Sequence, residues 1–138
     1  MKIQVIDTKH PQRCNCVLYA RTQVKPFPYG MWTINDKKRI INSPNPKVGC
    51  LAIMNVGVWY ILTSGMAPGH PEVGKKVFSG HIGIVEKISY SQKKCPTCGT
   101  ILKNVPSYIT IREANYVHCA VSRRSGTPSE LRILGYRI

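Results

Sequence analysis

Cys16 opens a segment, Cys16–Gln23, that can make two turns of helix, with Asn15 as its N-cap and Pro26 and Pro28 to stop it. A cysteine in the first helical turn meets the positive end of the macrodipole and free backbone N–H groups. Both favour the thiolate, which is the attacking species in acyl transfer. His81 follows Gly80 at the head of the apolar run HIGIVEKISY. An imidazole at a strand end can lean toward a helix packed on the sheet and serve as its base. Glu113 and Asn115 lie two apart in SYITIREANY, so on a strand they face the same side. Either can hold the Nδ1–H of an imidazole and fix its tautomer. Each residue also has a plainer reading: Cys16 as a buried apolar side chain, His81 as a solvated one, Glu113 and Asn115 as an exposed strand end.

The remaining cysteines are at 14, 50, 95, 98 and 119. Cys95-Pro-Thr-Cys98-Gly is a knuckle of the zinc type. Structural zinc wants four ligands, and the candidate partners Cys119, His118, Cys14 and Cys50 show no second CxxC spacing. Zinc, a disulfide and free thiols all stay open for Cys95 and Cys98. The first twenty residues carry Lys2, Asp7, Lys9 and Arg13 and no apolar core of a secretory signal. A reduced compartment is therefore the default, with thiols or a metal expected before disulfides. A four-cysteine site that recruited Cys14 and Cys16 would remove Cys16 as a nucleophile.

These residues need elements to hold them. The chain has 138 residues and 43% hydrophobic residues, enough for one domain spanning 1–138 with a real core. Its longest apolar runs are far below the roughly 20 residues of a membrane-spanning helix. Residues 1–13 read as an extended lead ending in a Pro11 turn, and residues 30–38 can hold a second short helix. After a loop dense in Ser, Asn and Pro at 42–46, the chain turns to strands at 49–56, 58–63, 81–90, 107–116 and 131–138. Gly57 marks a bulge or tight turn between the first two. Residues 63–76 read as loop, and a basic loop carries the CxxC. Between 107 and 116, Tyr108, Thr110 and Arg112 alternate with Ile109, Ile111 and Glu113, a period of two. This is an α+β pattern: short N-terminal helices followed by five or six antiparallel strands.

The order of nucleophile on an early helix, base on a strand and orienting residue on the next is shared with papain-like enzymes. Four segments go further and resemble the CHAP domain, the cysteine- and histidine-dependent amidohydrolase/peptidase family of peptidoglycan hydrolases. They are Asn15-Cys16-Val-Leu-Tyr19, Pro46-Lys-Val-Gly49-Cys50-Leu-Ala-Ile-Met54, Gly80-His81-Ile-Gly-Ile-Val85-Glu86 and Ile109-Thr-Ile-Arg-Glu113-Ala-Asn115-Tyr116. The closing Gly135-Tyr136-Arg-Ile138 suits the family's last strand, so the resemblance covers about 14–138. It implies a papain-like fold, with Cys16 as nucleophile, His81 as base, Glu113 orienting the imidazole and Asn115 helping or substituting. Asn15 takes the position of the family's oxyanion-stabilising Gln, and Cys50 that of its first-strand Asp. The Tyr19 spacing selects Cys16 over Cys14. The implied activity is an amidase or endopeptidase acting on a stem peptide or cross-bridge, with no required cofactor.

The charge needs a partner of opposite sign. Lys and Arg number 20 against six Asp and Glu, a net charge of +14. The basic residues are spread along the chain in blocks no longer than three, as on a solvated face. Peptidoglycan and anionic wall polymers fit, and no specific nucleic-acid partner is expected, because the aromatics do not interleave with the basic residues as a stacking platform needs. The expectation is a monomer made in the cytoplasm and delivered to the wall through a holin lesion or with a virion, as a phage lysin would be. The alternatives are a basic, zinc-containing nucleic-acid-binding module and a catalytically inactive wall-binding relative.

Overall fold

The computed structural model describes the backbone of residues 1–138 and every side chain except those of residues 102 and 103. Helix α1 is Cys16–Gln23, and its start is set by Asn15, whose side-chain oxygen accepts from the Val17 and Leu18 N–H groups at 3.0 Å each. A cap of this kind is worth about 1 kcal/mol. Tyr19 and Ala20 face inward, and the Val24 N–H closes the helix on the Ala20 carbonyl. Helix α2 is Ile34–Arg39, later than the start of the 30–38 segment suggests. Thr33 and Asp36 form a capping box, each side chain accepting from the other's backbone N–H, and this fixes the first turn.

Eight strands follow the chain as β1 (Lys2–Asp7), β2 (Leu51–Met54), β3 (Trp59–Ile61), β4 (Lys76–Phe78), β5 (His81–Lys94), β6 (Ile101–Ala114), β7 (Val121–Gly126) and β8 (Ile133–Arg137). Six make one antiparallel sheet in the order β1-β7-β6-β5-β2-β8, while β3 and β4 pair separately. The α+β class and the six-stranded sheet are as expected. The sheet is covered on both faces at its centre. Leu51, Ile53, Ile82 and Ile84 pack with Tyr19, Phe27 and Met31. Alternate residues Ala52, Met54, Val85, Ile109 and Ile111 pack with Leu131 and Tyr136 on the other side. Two-sided burial explains the unbroken apolar run of β2.

Three strands depart from the sequence reading. β1 occupies the extended lead, β4 lies at the end of the segment read as loop, and β7 runs through Arg123 and Arg124. The basic loop is largely strand as well: β5 and β6 continue well past the core as an exposed ladder, with the CxxC at its tip. Among the described residues no helix is long and apolar enough to cross a membrane.

Gly80 brings α2 to the head of β5. It has φ +64°, and a Cβ there would lie 2.5 Å from Ile34 Cδ1. Only glycine combines that conformation with that contact. Gly80 therefore places α2 beside the residue that follows it, His81.

Candidate active site

The N-terminus of α1, the head of β5 and the end of β6 meet at one cavity of about 460 Å³ lined by Cys16, His81, Asn15 and Asn115 among others. His81 Nε2 lies 3.1 Å from Glu113 Oε1, and both side chains are buried. The orienting carboxylate thus holds Nε2, not the Nδ1 of the sequence expectation. Nδ1 is the ring nitrogen left to face Cys16, whose thiol pKa His81 lowers. Glu113 belongs to the buried register of β6 with Ile109 and Ile111, all three without solvent exposure.

The charges in the cavity reinforce one another. Burial pushes the Cys16 thiol up, but the charge and hydrogen bond of His81, the charge of Lys37 and the Ile82 N–H outweigh it, bringing Cys16 from 9.0 down to about 7. Burial pushes His81 down, but the charge and hydrogen bond of Cys16 and then those of Glu113 outweigh it, raising His81 to about 9. Between these values the pair is a thiolate and an imidazolium. The helix start adds to this. Asn15 satisfies the Val17 and Leu18 N–H groups, while the Cys16 N–H has no acceptor among the described residues. A donor beside the nucleophile is what an oxyanion needs. The Asn15 carboxamide oxygen is committed to the cap, so its NH₂ is the end able to donate toward the cavity.

Cys14 is bonded to Cys119, 105 residues away in sequence. The pairing overturns the preference for thiols over disulfides at these positions, and it leaves Cys16 as the sulfur with a titratable thiol at the helix start. For Cys95 and Cys98, both free thiols, the disulfide narrows the set of zinc partners the sequence offers. Two of the candidate partners are consumed by the disulfide. A third, Cys50, is a core residue whose sulfur accepts from the Lys47 N–H at 3.4 Å. The Cys98 sulfur donates to Thr100 Oγ1 at 3.1 Å. Asn115 does not reach the imidazole: β6 ends at Ala114, and Asn115 turns to φ +64°, which breaks the period of two. Its side-chain oxygen accepts from the Cys119 N–H at 2.9 Å, shaping the turn that presents Cys119 to Cys14.

A group of metal-ligand type lies elsewhere. Asp36, His70 and Glu72 bring ligand atoms within 4.8 Å of one another. Both nitrogens of His70 already have partners, Nδ1 accepting from the Glu72 N–H at 3.0 Å and Nε2 lying 2.9 Å from both Asp36 oxygens. With Thr33 Oγ1 donating to Glu72 Oε1 at 3.0 Å, the cluster ties the 70–72 turn to the capping box of α2.

Two residues of the site were not anticipated. Arg124, 1% exposed, donates through Nε to Glu113 Oε1 at 2.7 Å, and its guanidinium carbon stands 3.6 Å from the Tyr116 ring centroid. Lys37, 2% exposed, donates to the Met31 and Ser79 carbonyls at 3.3 and 2.8 Å and makes no ion pair with a carboxylate among the described residues. A buried ammonium without a carboxylate is unusual; its burial lowers its pKa, and Cys16 is the first of the charges that hold it up. Lys37 stands in a run of three basic residues, which by pattern reads as a solvated face. Replacing it by methionine is expected to move the Cys16 thiol upward. Iodoacetamide alkylation at pH 7 should slow by about tenfold, the order expected for one unit charge several ångström away at an effective dielectric constant of about 20. An unchanged pH profile of alkylation would remove Lys37 from the electrostatics of the thiol.

Comparison with family models, with curated proteins and with solved structures returns no match for this chain.

Proposed function

We propose that this chain is a cysteine hydrolase of peptidoglycan, cleaving an amide bond of a stem peptide or cross-bridge with a papain-like arrangement of helix and sheet. The observation that carries the reading is the line Cys16–His81–Glu113, with the sulfur at a helix start and the imidazole fixed from its far side. The resemblance of the flanking segments to CHAP domains supplies the substrate class, and the net charge of +14 suits an anionic wall.

The Cys16 thiolate attacks the amide carbonyl while the Cys16 N–H, with the Asn15 NH₂ beside it, stabilises the oxyanion. His81 delivers its proton to the departing amine, and a thioester forms. His81, now neutral, takes a proton from water, the resulting hydroxide attacks the thioester, and the acid product leaves with Cys16 again a thiolate. Glu113 keeps Nε2–H engaged throughout, so Nδ1 always faces the sulfur. Delivery through a holin lesion or with a virion is the matching route to the wall.

Purified peptidoglycan treated with the protein should lose turbidity and gain free amino groups in parallel. No gain of amino groups across several wall types would overturn the proposal. On a soluble wall fragment, kcat/KM should follow a bell. It rises through about pH 7 as Cys16 loses its proton and falls through about pH 9 as His81 loses the proton that the leaving amine requires. A rate that keeps climbing beyond pH 9 would exclude proton delivery by His81.

A further inference from the structure

The cavity wall carries a cation that the mechanism above does not use. Arg21 lies on α1 five residues after Cys16. Its guanidinium carbon stands 4.8 Å from the Tyr29 ring centroid and 5.6 Å from that of Phe27. Its Nε is closed off from solvent and has no hydrogen-bond partner among the described residues. A buried donor without an acceptor is costly and uncommon. The two rings hold the guanidinium in place, which suits a planar, two-pronged acceptor such as a carboxylate.

The rest of the wall agrees. Lys37 and His81 line the cavity, and among the described residues no Asp or Glu does. The field inside is therefore positive, yet Lys37 is held by two carbonyls and His81 by Glu113, so among the described residues Arg21 is the lining cation left to meet an arriving anion. Val17, Leu18, Met31 and Trp32 give the same wall an apolar stretch.

We propose that Arg21 is a specificity residue that binds a free carboxylate on the residue adjoining the scissile amide, so that the site selects acidic peptides over their amidated counterparts. The word scissile rests on the hydrolase reading; the anion subsite itself rests on the cavity.

The test uses thiol alkylation, which needs no wall substrate. The α-amides of N-chloroacetyl-glutamate and N-chloroacetyl-glutamine have nearly the same shape, and the side-chain carboxylate of the first is their one difference in charge. With either, the Cys16 thiolate displaces chloride and a C–S bond forms. Following the mass of the Cys16-containing peptide excludes label at Cys98. Wild type should react about tenfold faster with the glutamate probe, the order of a charge-assisted contact, and Arg21→Gln should bring the ratio close to one. Arg21→Lys keeps the charge and loses the fork, and an intermediate ratio is expected. A ratio near one in wild type, or one unchanged in Arg21→Gln, overturns the proposal. Should Arg21→Gln fail to fold, an unchanged ratio in Arg21→Lys does the same. A wild type that shows the ratio yet releases no amine from any wall keeps the subsite and loses the peptidoglycan reading. One that lyses walls without the ratio does the reverse.

Discussion

Cys16→Ala is expected to abolish amide hydrolysis and leave thermal stability nearly unchanged, and Cys14→Ala to do the opposite. The two cysteines are two residues apart, but their physical situations differ. Cys16 is a half-buried first-turn residue whose thiol pKa is lowered by His81, Lys37 and the Ile82 N–H. Alanine keeps the helix and removes the only atom that can form the thioester. Loss of a nucleophile that acts as a unit with its base costs about 10⁶-fold in kcat. Cys14 closes a loop of 105 residues with Cys119. Chain entropy assigns a loop of that length about 4.7 kcal/mol, and removal of a native disulfide commonly costs about 2–5 kcal/mol. Amine release measured well below the melting temperature, beside thermal unfolding of each variant, separates the two roles. Residual turnover in Cys16→Ala would place the nucleophile elsewhere. An equal loss of turnover in a folded Cys14→Ala would mean that the disulfide is needed to hold the head of α1 in register with β5.

Local chemistry made part of this arrangement legible. The Asn15 cap and the two prolines bound α1 at the residues observed, because a helix of two turns is decided by its ends. The strand period at 107–116 also carried information: it puts Glu113 in phase with Ile109 and Ile111, the structure buries all three, and a buried carboxylate must be held by cations or donors. What the pattern could not supply was the other half of each pair. Arg124 sits in VSRRSG, a segment with too little apolar content to read as a strand, and it is buried because Glu113 neutralises it from the neighbouring strand. β1 is mostly exposed and exists through its pairing with β7, so missing β7 meant missing the reason for β1. Lys37 is buried in a run that local charge assigns to solvent, since its acceptors are the carbonyls of Met31 and Ser79 from outside its own helix. The Cys14–Cys119 bond joins residues that no spacing rule connects. The loop expected around the CxxC is a ladder because β5 and β6 pair across it, which depends on a partner and not on local propensity.

The Glu113–Arg124 pair yields the second large effect. Glu113 Oε1 is shared by His81 Nε2 at 3.1 Å and Arg124 Nε at 2.7 Å, and Oε2 has no hydrogen-bond partner among the described residues. Arg124 Nη2 meets only the Met54 sulfur, at 3.3 Å. Neither member can reach water, so deleting Glu113 strands the Arg124 charge, and deleting Arg124 leaves Glu113 with His81 in place of two cations. Arg124→Met and Glu113→Gln should each destabilise the protein by about 3–5 kcal/mol. The double variant Glu113→Gln/Arg124→Met removes both charges and should recover much of that loss, because a buried pair exchanged for neutral groups of similar volume is often close to neutral in stability. Activity should not recover with it. Without the Glu113 charge the His81 imidazolium loses one of the groups that raise it, so the alkaline limb of the pH profile moves down from about 9. At pH 8 less His81 is then protonated to serve the leaving amine, and turnover falls even in a stable double variant. Denaturant unfolding of the two single variants and the double gives the coupling between the charges, and the pH profile of kcat/KM on a soluble fragment gives the effect on the imidazole. Recovery of both stability and the wild-type alkaline limb would reduce Glu113 to a structural partner of Arg124. Recovery of stability alone assigns the carboxylate to the histidine, with Arg124 as the charge that allows it to stay ionised in the core.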